Sequence, residues 1–141
     1  MSPYFRILLS FGERWQNWWL REHSNATTVE VPQGKFSEYD AVLDGVRYEF
    51  KAETLIAKYG NICIEHTADS KPSGISVTTA DYYVVMSIDK DECVEWWRIP
   101  VYVIKEKIAA GLYNRDMRGG YKSLSQFYLF KKEVFDAWRG A

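Results

Sequence analysis

The 141-residue chain carries 18 Lys and Arg against 19 Asp and Glu, with 47% hydrophobic and 16% aromatic residues. That composition suits one globular domain over residues 1–141 and excludes a disordered chain; its near-neutral charge argues against a strongly basic nucleic-acid binder. No apolar run is long enough to span a bilayer, no signal-peptide pattern opens the chain, and Cys63 and Cys93 are too few for a disulfide scaffold or a zinc site, so a reducing cytoplasm is expected. Charge is unevenly spread: residues 1–100 hold 10 Lys and Arg against 15 Asp and Glu, and residues 101–141 hold 8 against 4. An acidic body with a basic C-terminal third can hold a metal in one place and touch phosphate in another; ordinary surface scatter is the alternative.

In chain order, residues 11–23, "FGERWQNWWLREH", place Trp15, Trp18, Trp19 and Glu22 at i, i+3, i+4 and i+7 and predict a helix with a Trp stripe, ended by Ser24-Asn25. The stripe reads as a packing surface, in the core or between two copies, ahead of base stacking. "SEYDAVLDGVRYEFKAE" (37–53) predicts a hairpin turning at Asp44-Gly45. "NICIEH" (61–66) and "DYYVVMSI" (81–88) are predicted strands, the second apolar enough to be central. Between them "SKPSGISVTTAD" (70–81) is a hydroxyl-rich loop, where Lys71 and Ser73 can grip phosphate, or a plain turn-rich connection.

"CVEWWRI" (93–99) is a further strand, with Trp96 and Trp97 on opposite faces and at least one of them buried. Pro100 opens a helix through Ala110 that Gly111 caps. Residues 118–120 are a loop flanked by Arg115, Arg118, Lys122, Lys131 and Lys132, a duplex-backbone contact or a solvated surface. A last strand (125–130) and a short helix (131–138) close a mixed α/β domain with a sheet at its centre.

The hairpin carries the chemistry. With Leu43 opposite Val46, Asp40 falls opposite Glu49 and Glu38 opposite Lys51, all four on one face, while Val46, Tyr48 and Phe50 form the core face. Like charges directly opposite each other destabilise a sheet, so two such carboxylates share a proton or a cation. Hard oxygen ligands favour Mg²⁺ or Mn²⁺, and a Lys beside them can stabilise a phosphate or orient a water. The alternative is a solvated face with Glu38–Lys51 and Glu49–Arg47 ion pairs, each worth little.

"YDAVLDGVRYEFK" resembles the core motif of the PD-(D/E)XK phosphodiesterase superfamily, in which an Asp is followed, after a short hairpin, by Glu-x-Lys on the next strand. Asp40 matches the Asp, and Glu49, Phe50 and Lys51 match the Glu-x-Lys; Tyr39 stands where the motif has Pro. The likeness extends over about residues 11–88, where "GNICIEHTADSKPSGISVTTADYYVV" is similar to small phage-encoded members. It implies a restriction-endonuclease-like core with a central mixed sheet flanked by helices. It also implies Asp40, Glu49 and the Phe50 carbonyl as ligands to Mg²⁺ (or Mn²⁺), Lys51 positioning the attacking water, and Glu13 supporting the site. Glu65 or His66 would come near the same edge. The implied function is a DNA endonuclease, structure-selective like the Holliday junction resolvases, acting as a homodimer for which the Trp-rich helix is a candidate contact. Lys71, Ser73, Arg118 and Lys122 would contact nucleic acid, in the host cytoplasm if the chain is phage-encoded. The rival is a module of the same fold that binds nucleic acid or protein without cutting.

Overall fold

A computed structural model describes residues 3–32 and 39–139, with side chains from Phe11 onward except Tyr121. Helix α1 (Pro3–His23) leads into a two-residue strand β1 (Val29–Glu30) and the hairpin of β2 (Ala41–Leu43) and β3 (Val46–Glu53). A single helical turn, α2 (Ile56–Tyr59), precedes β4 (Asn61–Ala68), β5 (Lys71–Pro72) and a 3-10 turn, Gly74–Ser76. Then come β6 (Tyr82–Asp89), β7 (Glu92–Pro100), α3 (Val101–Ala109), β8 (Arg115–Gly119), a 3-10 turn at Tyr121–Ser123, β9 (Ser125–Lys131) and α4 (Lys132–Trp138).

The strands form two sheets. One is mixed and five-stranded, ordered β1-β2-β3-β6-β7, and parallel only between β3 and β6; the other is antiparallel and four-stranded, ordered β5-β4-β9-β8. A parallel pair needs a long crossover, and residues 54–81 supply it, carrying β4, β5 and the 3-10 turn over one face of the five-stranded sheet. The architecture is therefore α/β with a mixed sheet at its centre.

Strand alternation divides the core into two layers. Ala41, Leu43, Tyr48, Val84, Met86 and Ile88 face α1 and bury Trp15 and Trp19, which are 4% and 3% exposed. The other face, with Tyr83, Val85, Trp97 and Ile99, packs against Ile62, Ile64 and Phe130 of the second sheet and against α3 and α4. Trp97 is fully buried there, its indole N–H donating to Asp136 at 2.7 Å, while Trp96 packs on the α1 side. Strand β6 is buried on both faces, as its apolar run requires.

Several expectations are refined. Of the packing readings of the Trp stripe, Trp15 and Trp19 take the core one, buried in this chain's own core. The predicted loop at 118–120 is in part strand: Arg118 and Gly119 end β8, paired with Gln126 and Ser125. The predicted strand at 61–66 runs on to Ala68 as β4 and pairs with β9, while β3 takes β6 as its neighbour.

Candidate active site

The turn at Asp44-Gly45 has positive φ at both residues, 49° and 81°, and sets Leu43 opposite Val46, Val42 opposite Arg47 and Ala41 opposite Tyr48. The ladder stops there. The Asp40 N–H bends onto the Tyr48 carbonyl at 2.8 Å, so Asp40 does not pair with Glu49 as the extrapolated register requires. Its side chain instead crosses the gap, one carboxylate oxygen accepting the Phe50 N–H at 2.7 Å. In a strand the N–H and C=O of one residue point the same way. The Phe50 carbonyl thus stands on the same side of β3, past the end of β2, beside the Asp40 carboxylate.

Asp40, Glu49, Phe50, Lys51 and Glu65 line one cleft of about 340 Å³, whose remaining wall is Gly74, Val77, Thr78 and Tyr83. Three elements converge to build it. Strand β3 supplies Glu49 and Lys51 by alternation, β4 supplies Glu65, and β6 supplies Tyr83, the register partner of Glu49. The 3-10 turn closes against β4 because Gly74, at φ 51°, lies directly on the Glu65 carbonyl.

Among the described residues neither Asp40 nor Glu49 has a cation within 4 Å. Burial, then the charge of Asp40, push Glu49 up to about 8 from 4.5, only partly countered by Lys51. Asp40 is also raised, by burial, against the opposing pull of the Phe50 N–H. The Tyr83 phenol is held protonated by burial and by the charges of Glu49, Asp40, Glu65 and Glu53. Lys51 pairs with Glu53 at 3.1 Å and lies 5.2 Å from the centre of the Phe127 ring. The expected Glu38 partner lies outside the described residues. Arg47 stacks on Tyr39 at 4.9 Å, with no ion pair to Glu49.

Other candidate residues are dispersed. Glu13 is exposed on α1 and does not line the cleft; one turn on, Gln16 reaches the Asp40 carbonyl at 3.5 Å. Ser73 donates its hydroxyl to Glu65 at 3.1 Å, just behind the lining. His66, the extra residue of a β-bulge, points away, bonded to Thr67 and Asp116 at 2.8 Å each. Lys71, Arg118 and Lys122 are exposed at one end of the second sheet, where one rung runs Lys71, Ala68, Ser125 and Gly119. Lys71 and Arg118 lie on opposite edges there, about 14 Å apart across three strand spacings. Tyr83 and Thr78 had no motif to betray them; Tyr83 enters only through the parallel register of β6.

Two hard carboxylates and a backbone carbonyl form a donor set that suits Mg²⁺ or Mn²⁺, and the raised Glu49 marks a buried acid beside Asp40 whose charge Lys51 only partly compensates. Among the described residues no three His, Cys, Asp or Glu side chains form a cluster for one ion. Such an ion would keep several water or phosphate oxygens, as Mg²⁺ commonly does. No family model and no curated protein matches this chain.

Proposed function

We propose that this protein is a Mg²⁺- or Mn²⁺-dependent DNA endonuclease built on a restriction-endonuclease-like core. The observation that carries the reading is the convergence of Asp40, Glu49, the Phe50 carbonyl edge and Lys51 on one cleft in which neither acid has a cationic partner. A structural ion-pair network would neutralise those acids internally; a cation site leaves them for the ion.

When bound, the ion supplies Lewis-acid polarisation of a phosphoryl oxygen and lowers the pKa of a water. Asp40 and Glu49 would hold it, and the Phe50 N–H keeps the Asp40 carboxylate aimed across the gap. Lys51 leaves Glu53 to offset charge on the scissile phosphate and orient the attacking water. The protonated Tyr83 is a further hydrogen-bond donor on the cleft wall. Lys71, Arg118 and Lys122 give phosphate contacts beyond it, about 10 Å along β4 from Glu65. Glu13, exposed on α1, has no part in this scheme. Selectivity for branched DNA and action as a homodimer belong to the same proposal.

The test incubates purified protein with supercoiled plasmid, single-stranded DNA and a four-way junction in Mg²⁺, Mn²⁺ or EDTA, beside Asp40→Asn and Lys51→Ala. Metal-dependent cutting lost in both variants establishes the nuclease. Binding without cutting of any substrate assigns the domain to the non-catalytic rival.

A further inference from the structure

A second concavity, about 710 Å³, follows the free edge of β7 from the end of α1 round to α4, away from the carboxylate cleft. Its size falls in the range of small-molecule sites. One wall is aromatic: the His23 ring stands between Trp18 and Trp96, at 5.1 and 4.8 Å between centroids. The other is cationic. The Arg98 guanidinium sits over the Tyr82 ring, 3.6 Å from its centre, and donates from Nε to the Tyr48 hydroxyl at 3.0 Å.

Those two contacts fix the Arg98 guanidinium without neutralising it. Among the described residues no carboxylate comes within 4 Å of it, and no acceptor engages its terminal nitrogens. The one acid on the lining, Glu95, is already paired with Lys132 at 3.1 Å and Arg139 at 3.3 Å. A half-buried, immobilised and uncompensated guanidinium favours an anion. The same charge rules against a cationic ligand on the aromatic rings, and a purely apolar partner would leave Arg98 buried without a counter-charge. A ligand that carries both a flat π-face and a phosphate satisfies both walls.

We propose that this groove binds a nucleoside phosphate, with the base on the Trp18–His23–Trp96 surface and the phosphate on Arg98. The unit comes from a free nucleotide or from a nucleic-acid strand, and the site stands independently of the reading of the carboxylate cleft.

The experiment titrates AMP, adenosine, inorganic phosphate and an eight-residue oligodeoxyadenylate into the protein in EDTA, followed by calorimetry and Trp fluorescence. AMP is expected to bind and quench fluorescence, with adenosine and phosphate each markedly weaker. Arg98→Gln should weaken AMP binding about tenfold, the worth of a charged hydrogen bond, while Glu49→Gln leaves it unchanged. Val94→Glu, at a lining side chain 55% exposed, adds a repelling carboxylate without touching the core and must weaken binding too. This keeps the test valid should Arg98→Gln unfold. Tighter binding of the oligonucleotide than of AMP names a strand as the source; equal binding names the free nucleotide. The proposal is overturned if folded protein binds neither, if phosphate alone binds as well as AMP, or if Glu49→Gln abolishes binding while Val94→Glu does not.

Discussion

The carboxylates of Asp40 and Glu49 meet in one cleft although their backbones do not pair. Asp40 sits one residue past the end of its ladder and is held by a 2.7 Å bond from the Phe50 N–H, and Glu49 is driven up to about 8 by burial and by the Asp40 charge. The break in pairing is what opens the edge of β3 at Phe50, so the irregularity and the donor set have one origin.

The sign of the Glu49 shift fixes a pH dependence. A folded-state pKa above the ordinary 4.5 means that the folded, metal-free protein retains a proton the unfolded chain has lost. Stability in EDTA should therefore be free of this penalty below about pH 4.5, fall as pH rises toward about 8, and level off above it. Glu49→Gln should flatten that fall and raise stability near pH 8. Urea midpoints measured in EDTA across this window check it, and equal slopes for both proteins would sink it.

Cation binding should reverse the shift. If Asp40 and Glu49 hold Mg²⁺ or Mn²⁺ as proposed, the carboxylate pair would ionise, so at pH 7 each ion bound should release about one proton. Calorimetric titrations in two buffers of different ionisation enthalpy read this number directly. Affinity should also weaken as pH falls, and a pH-independent affinity would place the ion elsewhere.

Lys51→Ala tests the proposed role of Lys51 in cleavage. Its ion pair with Glu53 is largely buried, with side chains 21% and 26% exposed, so removing the ammonium also lowers stability, and urea midpoints must first show that the variant is folded at the assay temperature. If the domain cuts phosphodiesters as proposed, loss of the Lys51 ammonium should lower cleavage about 10²–10³-fold, with metal affinity retained. A variant that cuts as fast as the parent would remove Lys51 from the mechanism.

Much of this site was legible because local rules set it. The Asp-Gly dipeptide dictates the turn, the turn dictates the register, and alternation then puts Glu49 and Lys51 opposite the Tyr48–Phe50 face that α1 covers. Where the ladder would stop was not legible, because Asp40 breaks it through a side-chain bond to Phe50. Nor was the partnering of β3 with β6 and of β4 with β9, since pairing between strands distant in sequence follows from how whole faces bury. For this reason Tyr83 was missed and Glu13 misplaced. The helix bearing Glu13 packs by its Trp residues on the face opposite the cleft. Trp96 and Trp97, by contrast, divide between the two faces as a strand's period of two demands.

Asp44 does more than turn the hairpin. Its carboxylate accepts the N–H groups of Thr27 and Thr28 and the Thr28 hydroxyl, which hold it below the usual carboxylate range. This clamps β1 onto β2, where Val29 pairs with Leu43. Because its pKa is depressed, the stabilisation is present above the ordinary 3.8 and lost as pH falls through the folded value. Asp44→Ala should speed amide exchange at Thr27 and Thr28 while leaving β6 protected. Unchanged exchange at those two amides would show that β1 is held by its ladder alone.

Gly74 tests whether the cleft depends on a close backbone approach. Its φ of 51° disfavours any side chain, and a Cβ would overlap the Glu65 carbonyl oxygen, a backbone atom that cannot swing aside. Gly60 is the matched control, with φ 72° and nothing within 4 Å of its would-be Cβ. Gly60→Ala should cost about 1 kcal/mol from backbone strain alone. Gly74→Ala should cost about 1–3 kcal/mol more, as overpacking does, and should displace Glu65 and with it the wall of the cleft. Urea denaturation compares the two, and the pH dependence of stability in EDTA reports on the Asp40–Glu49 pair in each. Equal costs would mean that the 3-10 turn yields without disturbing β4, and Glu65 would then owe its position to the β9 ladder alone.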